Sequence, residues 1–429
     1  SFTNRPATAR DVVGIFFPQR IPLSIDGDGA SPAVLAKKVL AGAYAPSYAL
    51  GETVLREIGG VDLTGRALNK TVVKIGTELA QRRDTEVEAY FNRPLPRQRT
   101  RPKTPIVLAC VSVDGGRMQT RDEGAGVGVH DPHWRETKNA LFLRMQCRSF
   151  DADPHPELPA CFADQEGLKT LLPGVAEHKS SKGGQEICEA VKQQTPSDWR
   201  PEPLFRTCLS SLCDSERFGG MMEVEADSRG FYHAPKRAFV GDGLAYNWTI
   251  QQRHFPDFTA ILDFVHPVER LYEASRCIDD DPQRRWADYL RWAKACWAGE
   301  VEQVIDELKR RQSDVGFPPD DCETTDRRLI YAQIIGYLEN NASRMNYPEY
   351  RRQGLPTTSA HMESLVKEIN GRVKGTEKFF NDGASGEAIL QVRAAALCDD
   401  GRLARHLANR PGHPFHPNVP RPPALAVAG

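Results

Sequence analysis

Three acidic residues stand where a carboxylate could do more than meet solvent. Asp114 interrupts the apolar run "PIVLACVSVDG" and is followed by Gly115 and Gly116. Asp242 follows the apolar "RAFVG" and has Gly241 and Gly243 on either side. An acid at the end of a buried strand of an α/β sheet lies where such sheets build their functional crevices. Glycine beside it lets a ligand or a second backbone come close. Two carboxylates at neighbouring strand ends have the donor chemistry for magnesium, a hard cation that takes oxygen ligands. The alternative for either residue alone is an ordinary turn. The third acid, Glu363, lies in "TSAHMESLVKEINGRVKG" beside the stripe Met362, Leu365, Val366, Ile369 and Val373. It shares a helix face with Lys367, Asn370 and Lys374. That face suits a metal ion that must meet a phosphate; the competing reading is a surface ion pair between Glu363 and Lys367.

The elements that must carry these residues follow from pattern. "PIVLACVSVDG" is expected as a strand ending at Asp114, "NALFLRMQCRSF" as a second strand, "RAFVGDG" as a short one ending at Asp242. "FTAILDFVHP" is another, ending near Asp263 and His266. Apolar strands alternating with helices predict an α/β sheet with buried faces. Between residues 151 and 230 the pattern is weak, with "GGQEICEAVKQQ" the one helical stretch. From 268 to about 345, Trp286, Tyr289, Trp292, Ala293, Trp297, Val301, Ile305 and Leu308 recur at helical spacing and predict packed helices.

Upstream, "GIFFPQRIPL" reads as an edge strand broken by prolines. Ser31 and Pro32 start a helix, Pro46 starts a second, and the Gly59–Gly60 pair ends it. A third helix carries Leu68, Val72, Ile75 and Leu79 on one stripe. Two helices joined by a glycine turn form a helix-turn-helix-like pattern. Arg66, Asn69, Lys70 and Lys74 lie off the stripe and are of types that reach phosphates and base edges; a plain solvated face is the other reading. Residues 92–105, "NRPLPRQRTRPKTP", read as an extended basic linker whose Arg97, Arg99 and Arg101 could follow a DNA backbone. Arg117 beside the first acid belongs with them, as do Arg121, Arg135 and Lys138, with solvated loop charge as the alternative. His254, His361 and Trp248 read as ordinary packed or surface residues.

Composition narrows the class. The chain has 429 residues, 40% hydrophobic and 26% charged, and a net charge of −1. No global field draws it to nucleic acid, so any such surface is local. The 10 cysteines include no C-x2-C pair, and Cys208 with Cys213 is an isolated C-x4-C, a weak zinc signal. No disulfide-like framework, signal peptide or membrane-length apolar run is present, which points to a cytoplasmic protein and no membrane partner.

"VSVDGGRMQTR…WRETKNALF", "AFVGDGLAYNWTIQQRHFPDFTAILDFVHPVERLYEAS" and "YRRQGLPTTSAHMESLVKEINGRVKGTEKFFNDGASGEAILQVRAA" together resemble bacterial insertion-sequence DDE transposases related to the Mutator-like superfamily. The resemblance covers roughly residues 30–405. It implies a ribonuclease H-like catalytic α/β domain with an all-helical insertion, preceded by a small helical domain. Its boundaries would be 1–91 for the helical DNA-binding region, 92–105 for the linker, 106–267 and 351–405 for the two parts of the core, 268–350 for the insertion and 406–429 for a proline-rich tail without order. Asp114, Asp242 and Glu363 would be catalytic and would hold two Mg2+ or Mn2+ ions, with Asp263 and His266 of "DFVH" in support. Arg66, Asn69, Lys70, Lys74, Arg97, Arg99, Arg101, Arg117, Lys367 and Lys374 would meet DNA. The implied partners are element ends, target DNA and further copies of the chain, in the bacterial cytoplasm at the nucleoid. The chain departs from relatives in having Thr358-Ser359-Ala360 where "GSG" is common, and in lacking a Trp near Phe379 and Phe380. A transposase-derived DNA-binding protein without catalysis and a metal-dependent DNA nuclease are the alternatives.

Overall fold

The computed structural model describes residues 32–121, 133–171, 199–375 and 378–410. The expected edge strand in "GIFFPQRIPL" and the expected helix in "GGQEICEAVKQQ" lie outside them, as does the tail beyond Arg410. The first three helices are α1 (Pro32–Tyr44), α2 (Tyr48–Glu57) and α3 (Gly65–Phe91). The Ser47 hydroxyl accepts from the Leu50 N–H and caps α2. At the start of α3, Thr64 Oγ1 accepts from Ala67 N and Glu52 from Gly65 N. Then come β1 (Leu108–Thr120), β2 (Trp134–Met145), the short α4 (Ala160–Ala163) and α5 (Gln165–Leu171), and β3 (Pro203–Ser211). After these follow α6 (Ser215–Ser228), β4 (Lys236–Gly241), α7 (Ala245–His254) and β5 (Thr259–Leu262). A helical run succeeds them: α8 (Val265–Ile278), α9 (Pro282–Trp297), α10 (Val301–Val315), α11 (Arg327–Asn341) and α12 (Tyr347–Arg352). The chain closes with α13 (Ala360–Val373), β6 (Phe379–Phe380), α14 (Gly383–Ala396) and α15 (Arg402–Ala408).

These elements form two compact units. The first gathers the described parts of residues 1–84, 118–135 and 371–429, the second residues 85–117 and 136–370. The second unit holds the main sheet, in the order β3-β2-β1-β4-β5. It is mixed: β2 and β3 run antiparallel, whereas β4 is parallel to both β1 and β5. Its central strands are buried on both faces, which is why Leu108 to Val113 and Ala238 to Val240 read as unbroken runs. The helices α8 to α12 are the expected aromatic-rich stretch. Phe264 packs edge-on to Trp297 at 4.7 Å and to Tyr347 at 4.9 Å, and the Tyr289 hydroxyl reaches the Phe162 carbonyl at 2.8 Å.

β1 does not end at Asp114, contrary to the sequence expectation. It continues to Thr120, with Met118, Gln119 and Thr120 buried. The glycines do not turn the chain. A Cβ at Gly116 would stand 2.5 Å from the Thr137 hydroxyl and 3.0 Å from Asn139 Nδ2, so glycine permits a close lateral approach inside the sheet.

In the first unit the N-terminal helices do not stand alone. The Tyr44 hydroxyl donates to the Ala396 carbonyl at 2.6 Å, and Arg393 donates to the Ala43 carbonyl at 3.0 Å. Leu68, Val72 and Ile75 are buried as their spacing predicts; Leu79 is half-buried. Phe379 and Phe380 pair in parallel with Gln119 and Thr120. At Gly76 an added Cβ would lie 2.1 Å from the Ala388 carbonyl oxygen. That neighbour is backbone and cannot swing away. Gly76→Ala is therefore expected to cost about 1–3 kcal/mol, as overpacking does, read as a lower urea midpoint; an unchanged midpoint would refute this close helix crossing. No helix among the described residues is long and apolar enough to cross a membrane.

Candidate active site

Parallel pairing brings the first two acids to one level. Ser112 pairs with Val240. Two residues further along come Asp114 in β1 and Asp242 just past the end of β4, which at the usual strand spacing puts their backbones about 5 Å apart. On the other side of β4, Gly241 pairs with Leu262, and the Asp263 N–H donates to the Gly241 carbonyl at 2.9 Å. Three adjacent strands thus deliver Asp114, Asp242 and Asp263 side by side. All belong to the second unit, as do Glu363 and His266.

Each acid is held by its neighbours. Asp114 accepts from the Gly115 N–H at 2.6 Å. Asp242 accepts from the Leu244 N–H at 3.0 Å and from Asn247 Nδ2 at 2.7 Å, while its carbonyl takes the Tyr337 hydroxyl at 2.9 Å. Gly243 has φ +96°, and a Cβ there would strike the Tyr337 ring at 2.6 Å. Both reasons demand glycine after Asp242. Asp263 is fully buried, accepts from the Ser359 hydroxyl and from the Val265 N–H at 3.1 Å, and lies 3.8 Å from His266 Nε2. Ser359 occupies the position where the resemblance expects a glycine-flanked segment, and here its hydroxyl fastens the approach to α13 onto Asp263. Glu363, in the first turn of α13, has Lys367 Nζ at 3.6 Å.

The electrostatics show that these groups share one environment. Burial pushes the Asp114 carboxyl up to about 7, and the Asp242 charge adds to the effect. The Gly115 N–H and His266 oppose this, and Glu363 reinforces it. Glu363 is raised by burial and by Asp263, against the pull of Lys367 and His266. Like charges crowded in a half-dry site repel, and each favours the other's neutral form.

Sequence reasoning missed Glu136 and Tyr246. A Cβ on Gly115 would lie 3.5 Å from Glu136 Oε1 and 3.9 Å from the Tyr246 hydroxyl. Burial raises the Tyr246 phenol, and the charges of Asp242, Glu136 and Asp114 raise it further. Glu136 forms an ion pair with Lys138 at 3.1 Å. No spacing rule could have singled out Glu136, because it approaches Gly115 only across the sheet.

The donor set suits a hard divalent cation: carboxylates only, in excess of the nearby positive charge. The buried Tyr246 hydroxyl and Asn247 Oδ1 have no hydrogen-bond partner, and a cation that keeps several waters would supply partners of that kind. Among the described residues no three His, Cys, Asp or Glu side chains are already drawn together as ligands of one ion.

The basic residues separate into two groups. Arg66, Lys70, Lys74 and Lys374 are exposed on the first unit, and Asn69 is half-buried there. On the second unit Arg101, Arg117 and Lys367 are exposed. Arg97 and Arg99 are engaged internally. Arg97 stacks on Phe91 at 4.9 Å and donates to its carbonyl; Arg99 lies 3.8 Å over Tyr232 and pairs with Glu223 at 3.0 Å. The linker is thus a strap packed onto its own unit over this stretch. His254 bonds Glu223 at 2.8 Å, and the buried Trp248 donates to Asn341 at 2.8 Å, so both are structural. Neither a protein-family model nor a curated protein sequence matches the chain.

Proposed function

We propose that the chain is a DNA transposase of the DDE type with a ribonuclease H-like catalytic part, acting on the ends of an insertion sequence. The observation that carries this reading is the alignment of Asp114 and Asp242 at one level of adjacent parallel strands, with Glu363 of α13 coupled to the same site. The three blocks that resemble such transposases carry these same residues. Strand cleavage and joining are in-line displacements at phosphorus. Divalent ions, when bound, activate the attacking oxygen and stabilise the leaving one. Asp114, Asp242 and Glu363 would hold them. Asp263, with His266 close by, ties down Ser359, which places α13 and hence Glu363. Tyr246 and Glu136 line the space beside Asp114. Water would attack first and free a 3′-hydroxyl, which then attacks target DNA. No residue of the chain needs to become covalently attached. In this reading the exposed cations Arg117 and Lys367 would meet phosphate, and several copies would assemble on two element ends.

The test is DNA cleavage by purified protein, with Mg2+ or Mn2+, on DNA carrying the sequences that flank the gene. Metal-dependent cuts at a fixed end, absent from Asp242→Ala and Glu363→Ala, are expected. Joining of the 3′-end to a second duplex separates a transposase from a nuclease. Binding of those ends without any cut, with either metal, would favour a transposase-derived binding protein instead.

A further inference from the structure

A second charged site lies within the first unit. A cleft of about 180 Å3 is lined by Ser47, Tyr48, Asn69, Arg372, Lys378 and Ser385, among others. A water takes roughly 30 Å3 of liquid, so there is room for a tetrahedral anion with water around it. Arg372, near the end of α13, is 4% exposed. Its Nε donates to the Gly42 carbonyl at 2.9 Å, and its guanidinium sits 4.3 Å over the Tyr48 ring. Its Nη2 and the Tyr48 hydroxyl are buried beside one another, and neither makes a well-formed hydrogen bond to any other described group.

A buried guanidinium without an anion is an expensive feature. Burial lowers the Arg372 value, the Tyr48 phenol opposes this, and the Arg393 charge lowers it again. A second arginine nearby, Arg393, adds positive charge to the site. Two helices of adequate length begin at the cleft. Ser47 and Tyr48 are the N-cap and first residue of α2, and Ser385 lies in the first turn of α14. Helix starts carry partial positive charge and N–H groups turned outward. Lys378 spends one of its three donors on the Gly371 carbonyl at 2.8 Å, which leaves two. No carboxylate is among the described lining residues. Asp382, next in sequence to the cleft, is turned onto the Ser385 N–H as a helix cap.

We infer that this cleft binds a phosphate group through Arg372, Lys378, Asn69 and the Tyr48 hydroxyl. The group is either a phosphodiester of a nucleic-acid backbone or a free phosphate. The first source deepens the DNA-processing reading, but the site itself does not depend on it. Asn69 was singled out from the sequence as a residue facing DNA, and Arg372 and Lys378 were not.

The experiment uses the full chain and inorganic phosphate, titrated against chloride at equal ionic strength. The thermal midpoint is expected to rise saturably with phosphate alone, and titration calorimetry to give one site. Lys378→Ala and Asn69→Asp lie at the rim of the cleft and avoid the buried Arg372; each is expected to weaken phosphate binding about tenfold or more, the scale of a lost charge-assisted bond. A 30-base-pair duplex followed by fluorescence anisotropy gives the second arm. Weaker duplex binding in both variants, with a salt slope reduced by about one, identifies a nucleic-acid phosphodiester as the occupant. Unchanged duplex binding with phosphate binding lost identifies free phosphate. No phosphate-specific stabilisation of the wild type, or one that both variants retain in full, overturns the site. Asp114→Ala is expected to keep the phosphate effect, so failure here and failure of the cleavage reading are told apart.

Discussion

Replacing Asp114 with asparagine is expected to stop metal-dependent DNA cleavage and, in the same molecule, to stabilise the metal-free protein. The loss of rate should be on the order of 10³-fold or more, because a neutral amide removes charge stabilisation where charge develops. The gain in stability follows from the raised carboxyl. In the folded chain Asp114 titrates at about 7, against 3.8 unperturbed. A folded value above the unfolded one means that the native state holds the proton more tightly. The associated stability is complete below the unfolded value and is lost as pH rises through the folded one. Wild type and Asp114→Asn should therefore be close in stability near pH 4. They should diverge up to about pH 7 and stay apart above it by about 2 kcal/mol, well under the full 1.4 kcal/mol per unit because part of the repulsion relaxes. Urea melts in chelator across that range measure the difference, and saturating Mg2+ at pH 8 should close it. A constant gap across pH would remove the coupled carboxylates from the account. Full cleavage by the variant would remove Asp114 from catalysis.

The largest effect on stability alone is expected at Arg351. This residue of α12 is 5% exposed, donates from Nε and Nη2 to Asp153 at 2.9 and 2.5 Å, and reaches the Trp297 carbonyl at 3.0 Å. Its guanidinium also lies 4.0 Å over the Trp297 ring. One side chain therefore joins the segment after β2, the end of α9 and α12. Arg351→Ala strands the Asp153 carboxylate and should cost about 3–5 kcal/mol, the usual result of breaking a buried pair from one side. The pH dependence supplies a sign. Burial alone would raise Asp153, but the Arg351 hydrogen bonds and the His155 N–H outweigh it and hold the carboxyl below its ordinary value. A depressed acid stabilises above its unfolded value and loses that contribution as pH falls through the folded one. Wild type should thus lose part of its advantage over Arg351→Ala below about pH 4. An equal gap at pH 6 and pH 3 would mean that packing on Trp297, and not the ion pair, is what the arginine provides.

Several features were legible in the sequence for physical reasons that held. The stripe Met362, Leu365, Ile369 and Val373 is buried, and Glu363 beside it faces the site. The runs before Asp242 and Asp263 form β4 and β5 because strands buried on both faces must be apolar throughout. The reading failed where polar residues are buried. β3 went unseen since Thr207, Ser210 and Ser211 are buried, with Thr207 bonded to Glu225 and Ser210 to Asn139. The helix α6 hid for the same reason: Glu223, Glu225 and Asp227 are buried in it. Such partners lie far apart in the chain, so no local pattern announces them. Gly115 and Gly116 misled in another way. A glycine pair ordinarily marks a turn, and only the neighbouring strand shows that it clears space for Thr137 and Asn139. Arg97 and Arg99 looked like tether charges because the rings of Phe91 and Tyr232 that hold them cannot be assigned to them from sequence.

The first unit draws on both ends of the described chain, and this has a consequence for how the protein is made. On a ribosome, α1 to α3 emerge long before α14, against which Tyr44, Ala43 and Gly76 pack. At about 5–20 residues per second, synthesis of the intervening chain takes on the order of tens of seconds. During that interval the surface around Ala43, Tyr44 and Gly76 has no C-terminal partner to cover it, while most strands of the second unit have already been released and can pair. Nascent chains arrested before residue 383 should therefore be bound by chaperones through their first three helices, and lengthening the chain past residue 396 should release them.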